Sequence, residues 1–475
     1  MEKLDFTNVK KVLLVGAGGK TGFWYARLLI SNDIEVYAYD KNEAVVYSGE
    51  LLDNSKFFSV NSAEFDDQSI LDKVDSVTLS PGVPLMQKIF SVAQEKNKFV
   101  FSELEYCYSK LSDRRWICVT GTDGKSTTVA LVEHGLNAFG KHAISCGNFG
   151  LPFSRIALEQ NEYAKYEFLV AELSSYQLEL SRNLQCDVGL YLNLAPDHLN
   201  RYSDLEEYGR VKFNIAFSVK NNGLLIVNKN LLPDATGLWR KNHPLKEISK
   251  SVSIISVDNS CLTSENFRVT ENQITNLKNK EKVIDLEKIN IYGEHNYSNV
   301  LFTLETLNWF HCNDVVILNK ALSTFQSLPH RYEKIVLKND QNMYINDSKA
   351  TTTQAAAIAI KNSKSPLFLF LGGRSKGEDY NPVASIIQNK QAFVFLYGEN
   401  RFELQEVFQK NNVQMVNVEE TLDMVFQKAV EFQKNRQIPE ATYLLSPAST
   451  SWDQYSSFEE RGNHFRKLVE SIKII

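Results

Sequence analysis

No run in the 475 residues reaches the ~18 consecutive apolar residues that a membrane-crossing helix needs. Membrane insertion is therefore not expected. Cysteine is sparse: Cys107, Cys118, Cys146, Cys186, Cys261 and Cys312 are scattered, with no C-x-x-C pair. They read as reduced, mostly structural thiols. There is no strongly basic block, and the formal net charge is −5. Nucleic acid is thereby disfavoured as the main partner, local basic pockets aside. A secretory leader is not evident either. The early apolar segment VLLVGAGG is short, lacks a cleavage pattern and reads as a strand, so a cytoplasmic enzyme is expected. What is present is ordinary for a soluble globular chain, with 43% hydrophobic and 23% charged residues. The length suits about three domains.

One stretch organises the rest: WICVTGTDGKSTTVALVEHGL, Trp116 to Leu136. Trp116 to Val119 reads as a buried strand and Thr120 to Lys125 as a tight loop. Val129, Val132 and Leu136 then recur at helical spacing. Strand, glycine loop and helix together make an anion site, because backbone N–H groups and the helix dipole face the ligand. Gly121 and Gly124 allow close approach to phosphate oxygens. Lys125 supplies a mobile cation for the outer phosphates, and Ser126 a hydroxyl for Mg²⁺. Val119 stands where the usual pattern has its first glycine, so this is a compact variant of the nucleotide phosphate loop. Asp123 is unexpected beside a triphosphate.

Before it, KKVLLVGAGGKTG is a strand running into glycines and a helix, and a second strand, Glu35 to Tyr39, ends in Asp40. This is a dinucleotide-fold layout, although Gly16, Gly18 and Gly22 are spaced one residue longer than G-x-G-x-x-G. NAD(P) is a weak expectation at this spacing, and a nucleotide-sugar diphosphate becomes the better one once the later motifs are read. Ser80-Pro81-Gly82 is a tight loop after a strand, where open parallel sheets bind ligands or simply turn. Ser109 to Arg115 reads as a polar connector. After the phosphate loop, Glu172 ends the apolar strand Phe168 to Ala171; a carboxylate there needs solvent or a cation, and Mg²⁺ on Ser126 would serve. A third strand leads to Asp197-His198. The three strand ends are expected to converge, giving His198 a catalytic or metal-binding role. Lys212, on a helix from Tyr208 to Phe217, reads as solvated from its residues alone. Asn230 to Lys280 has little pattern. Asn296 begins a helix, as a cap or as a base or ribose contact. In the last third, Arg331 lies beside a strand entry, and Asp347, Ser348, Lys349 and Thr351 share a loop. Gly372, Gly373, Arg374 and Lys376 follow a buried strand. Alternating strands and helices predict mainly parallel α/β sheets throughout.

The motifs TGTDGKSTT, AELSSYQLE, PDHLNRY, GEHNYSN, LPHRYE, NDSKATT, LGGRSKGED and SPASTSWDQYSSFEERGNHF resemble, in order and spacing, those of the Mur ligases. The resemblance runs from Val12 to Phe465. The last motif and the N-terminal glycine loop resemble the D-glutamate-adding branch. The resemblance implies three domains: a Rossmann-like UDP-substrate domain over residues 1–107, a central P-loop ATPase domain over 108–326, and a dinucleotide-fold-like amino-acid domain over 327–475. It implies a monomer that adds D-glutamate to UDP-N-acetylmuramoyl-L-alanine through an acyl phosphate, in cytoplasmic peptidoglycan precursor synthesis. The alternative is another Mur-type or a folylpolyglutamate-type amino-acid ligase.

Carried over residue by residue, the resemblance assigns Gly121, Thr122, Asp123, Gly124, Lys125, Ser126 and Thr127 to ATP, with Asn296, Arg331 and Asp347 as its base, phosphate and ribose contacts. Ser126, Glu172 and His198 would hold Mg²⁺, two ions in all. Lys212 matches a lysine that the family carbamylates, and Lys125, His198 and Lys212 form the implied catalytic set. Lys20, Thr21, Gly82 and Asn148 match contacts to the UDP-muramoyl substrate. Lys349, Thr351, Lys376, Ser451 and Phe458 match the amino-acid pocket and its approaches. This sequence departs from the pattern in carrying Asp123 where the family usually has Asn, and Pro196 where Glu is frequent. Asp40-Lys41-Asn42 does not supply the expected arginine after the second strand.

Overall fold

Short apolar runs without alternation form strands buried on both faces, and these assemble into parallel sheets. The computed structural model describes residues 4–42, 47–61, 66–85, 87–198, 201–232, 248, 252–270, 273–286, 289, 294–338, 340–413 and 415–472. The chain divides into two compact units, Met1–Phe325 and Gln326–Ile475.

The first unit begins with β1 (Lys11–Val15), β2 (Glu35–Tyr39), β3 (Phe57–Ser59), β4 (Ser76–Leu79) and β5 (Phe99–Ser102). They lie in the order β3-β2-β1-β4-β5, all parallel. The helix Gly19–Ser31 crosses from β1 to β2. The polar connector expected over Ser109 to Arg115 is corrected. Ser109 to Leu111 complete the helix Glu103–Leu111, and Arg115 opens the next strand. Helix prevails because Tyr106, Cys107 and Leu111 are buried together, and the Leu111 carbonyl accepts from Trp116 Nε1 at 3.0 Å.

The second sheet contains β6 (Arg115–Thr120), β7 (Ala143–Gly147), β8 (Phe168–Glu172), β9 (Cys186–Tyr191), β10 (Val219–Asn228) and β11 (Ser253–Val257). Its order is β11-β10-β9-β6-β8-β7, again all parallel. β6 is flanked by β8 and β9, with Val119 opposite Glu172 and Thr120 opposite Tyr191. One edge therefore receives three strand ends side by side. The helices Lys125–Ala138 and Glu294–Trp309 pack on one another beside this sheet. In the weakly patterned stretch, β12 (Phe267–Thr270), β13 (Gln273–Asn276) and β14 (Lys282–Asp285) form a small antiparallel sheet. Glu305 anchors it by accepting from Asn266 N at 2.9 Å.

The second unit has one sheet of β15 (Glu333–Ile335), β16 (Met343–Asn346), β17 (Leu367–Gly372), β18 (Ala392–Tyr397), β19 (Met415–Val418) and β20 (Thr442–Leu445). The order is β15-β16-β20-β17-β18-β19, parallel except for β15 against β16. Phe368, Phe370, Phe395, Phe426, Tyr443 and Phe465 fill one side of it. The helix Phe458–Glu470 follows β20. Among the described residues, no helix is long and apolar enough to cross a membrane. Cys261 is exposed and the other five cysteines are buried.

Candidate active site

The loop after β6 is shaped for an anion. Gly124 caps the helix Lys125–Ala138 at φ +80°, and a Cβ there would lie 2.5 Å from Asn299 Oδ1. The cap residue makes no side-chain hydrogen bond to this helix and no acidic residue occupies its first turn, an arrangement that favours an anion at the helix start. Lys125 Nζ donates to the loop's own carbonyls, Gly121 O at 2.9 Å and Thr122 O at 2.7 Å. Asn193, just past β9, holds the loop in shape. Its Oδ1 accepts from Thr122 N at 3.1 Å and Asp123 N at 2.8 Å, and its Nδ2 donates to Asp123 O at 3.0 Å. The backbone of Asp123 is thus clamped while the residue is exposed. Thr127 lies in the first helical turn.

Glu172, at the end of β8, is 2% exposed. Ser126 Oγ donates to its Oε2, and Asn148 Nδ2 to its Oε1 at 2.7 Å. The structure therefore brings Ser126, Glu172 and Asn148 together. Among the described residues no three His, Cys, Asp or Glu side chains cluster tightly enough to cage a metal alone. A serine hydroxyl beside a buried carboxylate nevertheless fits Mg²⁺, which takes few protein oxygens and completes its shell with phosphate and water.

Lys212 is not the solvated helical lysine that its residues suggested. It is 1% exposed, and its Nζ donates to Gly121 O at 2.8 Å and lies 4.6 Å from the Tyr208 ring centroid. The helix Leu205–Phe217 turns Tyr208, Lys212 and Ile215 inward together, a spacing that was readable in the sequence. Burial first, and the Lys125 charge second, hold the Lys212 amine well below the ordinary lysine pKa.

His198 has φ +54°, a left-handed conformation rare outside glycine. Its Nδ1 is hydrogen-bonded to the Tyr176 hydroxyl at 2.9 Å, and its Nε2 lies 3.4 Å from Asp197 Oδ2. Its ring is 6.0 Å from that of Tyr208, the residue that also faces Lys212. Arg201 lies 4.0 Å from the Tyr176 ring centroid and donates to Val83 O at 3.2 Å, tying the loop after β4 to the His198 loop. In that loop Gly82 is exposed at φ +92°. Lys20 and Thr21 occupy the first turn of the helix Gly19–Ser31, which also lacks a capping side chain and early acidic residues. Asp40 folds into the glycine loop, accepting from Gly18 N at 2.8 Å.

Asn296, in the first turn of its helix, accepts from Asn299 Nδ2 at 3.1 Å. Gly293, in the same motif, lies outside the described residues. In the second unit, Arg331 lies in the turn before β15. Asp347 accepts from Tyr332 N and Ser446 Oγ, each at 3.0 Å, and burial of its carboxyl pushes its pKa up to about 7. Lys349 Nζ lies 3.9 Å from the Phe458 ring centroid. Ser451 is buried, Thr351 partly buried and Lys376 exposed. Sequence reading passed over Asn193 and Asn299. The only signal for either was a polar residue just beyond an apolar strand or inside a helix start.

Residues 119–307 match the model of the Mur ligase middle domain. The UDP-N-acetylmuramoylalanine–D-glutamate ligase of Caldicellulosiruptor bescii is 31% identical over 469 residues, 98% of each chain. This chain is a Mur ligase. It is therefore an ATP-dependent enzyme that forms amide bonds. The ligase of the same name from Alkaliphilus metalliredigens is 31% identical over 471 residues, again 98% of each chain. Among solved structures, the MurF ligase of Thermotoga maritima in complex with ADP has a TM-score of 0.59 at 14% identity, covering 98% of this ligase and 97% of that chain. The UDP-N-acetylmuramate–alanine ligase MurC of Thermotoga maritima has a TM-score of 0.55 at 16% identity, covering 98% and 100%. These two share the fold of this Mur ligase.

Two outcomes are expected. Asn193→Ala removes three hydrogen bonds from the phosphate loop and should raise KM for ATP about tenfold, the scale of one to two net hydrogen bonds, with the thermal midpoint little changed. An unchanged KM would show that the loop holds its shape alone. The second concerns pH. The Asp347 carboxyl is raised from 3.8 to about 7, so the folded state holds its proton more tightly. Its contribution is therefore most favourable below the unfolded pKa and is lost as pH rises towards about 7. Scanning calorimetry of Asp347→Asn should show a flatter stability profile in that window. The buried Glu103, also raised to about 7, leaves the first unit's slope in place.

Proposed function

We propose that this ligase joins D-glutamate to UDP-N-acetylmuramoyl-L-alanine by way of an acyl phosphate. The observation that carries the reading is the set of Lys125, Ser126, Glu172 and Lys212 gathered at one loop, in a chain whose full-length relatives bear that name. The N-terminal sheet, within residues 1–107, takes the UDP end through Lys20, Thr21 and Gly82. Residues 108–326 take ATP, and residues 327–475 take the amino acid. The enzyme works as a cytoplasmic monomer.

The first step brings the L-alanine carboxylate to the γ-phosphate. Its oxygen bonds to phosphorus, and ADP leaves. Lys125 releases the loop carbonyls and turns to the outer phosphates, offsetting the repulsion between two anions. Asn193 and Gly124 hold the backbone N–H groups ready. Ser126 and Glu172 would hold Mg²⁺, with His198 reaching a second ion, and the metal would supply further charge neutralisation. Asn296, Arg331 and Asp347 contact the base, a phosphate and the ribose. In the second step the D-glutamate amine attacks the acyl carbon and phosphate leaves. Lys349, Thr351, Lys376, Ser451 and Phe458 orient the dicarboxylate. His198 or a carbamate on Lys212 accepts the proton from the incoming ammonium.

Burial favours the uncharged form of the Lys212 amine, the form that acts as a nucleophile. Addition to carbon dioxide forms an N–C bond and releases a proton, replacing the amine by an anion near the metal-binding oxygens.

ADP release with UDP-N-acetylmuramoyl-L-alanine should require D-glutamate for steady turnover, and other amino acids should not substitute. Preference for another amino acid would favour a sister Mur-type or folylpolyglutamate-type activity. Lys212→Ala should lose most activity and regain part of it with short carboxylic acids. Absence of rescue with normal metal binding would count against the carbamate.

A further inference from the structure

The second unit buries an arginine that the activity above leaves unused. Arg461, in the first turn of the helix Phe458–Glu470, is 0% exposed. Its Nε donates to Ser348 Oγ at 3.0 Å, and its Nη2 donates to Ser348 O at 2.9 Å and Ser449 O at 3.0 Å. Its Nη1 makes no hydrogen bond of good geometry, and its nearest polar neighbour is the neutral hydroxyl of Tyr397, which is likewise left without one. That nitrogen lies against Gly373, where a Cβ would be 3.1 Å away. Among the described residues, no carboxylate forms an ion pair with it; every recorded acceptor is a neutral oxygen.

These contacts fall on three loops at the C-terminal ends of adjacent strands. Ser348 belongs to the loop after β16, which carries Lys349 and Thr351. Gly373 opens the loop after β17, which carries Lys376. Ser449 belongs to the loop after β20, which carries Ser451. The loops are also stitched to each other: Ala448 N donates to Ala350 O at 2.9 Å, and Arg374 N to Thr450 O at 2.9 Å. Arg461 lies at the junction of all three. Asp453 is the nearby carboxylate but forms no ion pair with Arg461. A buried cation without a directly paired anion is thus retained against its desolvation cost, and an anionic ligand above it would compensate that cost.

We propose that Arg461 is a positioning residue for the amino-acid substrate. It fixes the three pocket loops in register and sets a positive potential beneath them that favours an amino acid with a side-chain carboxylate. The inference rests on the amino-acid pocket proposed above.

The test compares wild type, Arg461→Gln, Arg461→Lys and Ser348→Ala. Two readouts are needed: KM for each substrate, and acyl phosphate formed without amino acid and trapped by hydroxylamine. Arg461→Gln should raise KM for D-glutamate tenfold or more, leaving KM for ATP and the trapped acyl phosphate unchanged. Arg461→Lys should recover part of the loss, since it keeps the charge but not the fork. Ser348→Ala should raise KM for D-glutamate a few-fold and decides the matter if the charge variants do not fold. Equal changes in every KM, or an unchanged KM for D-glutamate in Ser348→Ala and Arg461→Gln, would overturn the proposal. Failure of wild type to use D-glutamate at all would instead reject the underlying pocket.

Discussion

A parallel sheet sends the C-terminal ends of its strands to one edge, and the first unit depends on that constraint. β6 lies between β8 and β9, so the phosphate loop, Glu172 and the Asn193–His198 segment leave the sheet as neighbours. Residues separated by about fifty to seventy positions then form hydrogen bonds across neighbouring strand ends. Ser126 meets Glu172, and Asn193 meets Thr122 and Asp123. The second unit repeats the device with β16, β20 and β17, whose ends carry the loops that meet at Arg461.

Electrostatics at the first edge is poised rather than balanced. Lys125 and Lys212 both donate to the Gly121 carbonyl, and a glutamate is buried close by. The two amines share one oxygen, and the Lys125 charge adds to burial in disfavouring a second charge on Lys212. A triphosphate would draw Lys125 away and leave the carbonyl to Lys212 alone. Across the same edge, the Tyr208 ring neighbours both Lys212 and His198, the two candidate proton acceptors.

Much of this was legible in the chain. Glycines between an apolar run and a helical period announce the loop after β6, and an isolated carboxylate ending such a run announces Glu172. The misreadings have physical causes. Lys212 by itself reads as a surface residue because lysine usually is one, although its spacing from Tyr208 and Ile215 places it on the inner face. The sheet of β12, β13 and β14 escaped notice because strands of four residues between polar turns carry almost no period. Ser109 to Leu111 looked like a linker because the burial that makes them helical comes from Trp116 and from residues earlier in the helix. Arg461 could not be singled out from FEERG, which reads as an exposed helix start. Only the fold shows that its guanidinium is enclosed.

The position of β20 has a consequence for biosynthesis. It is made after the other five strands of its sheet, yet it pairs between β16 and β17. Until it emerges from the ribosome, those two strands have open edges and no shared partner. The nascent sheet is then two separate fragments with exposed hydrogen-bonding groups, a state prone to wrong pairing. Cotranslational assembly of this unit must wait for a late central strand, and the helix whose Arg461 donates to Ser348 and Ser449 is made later still.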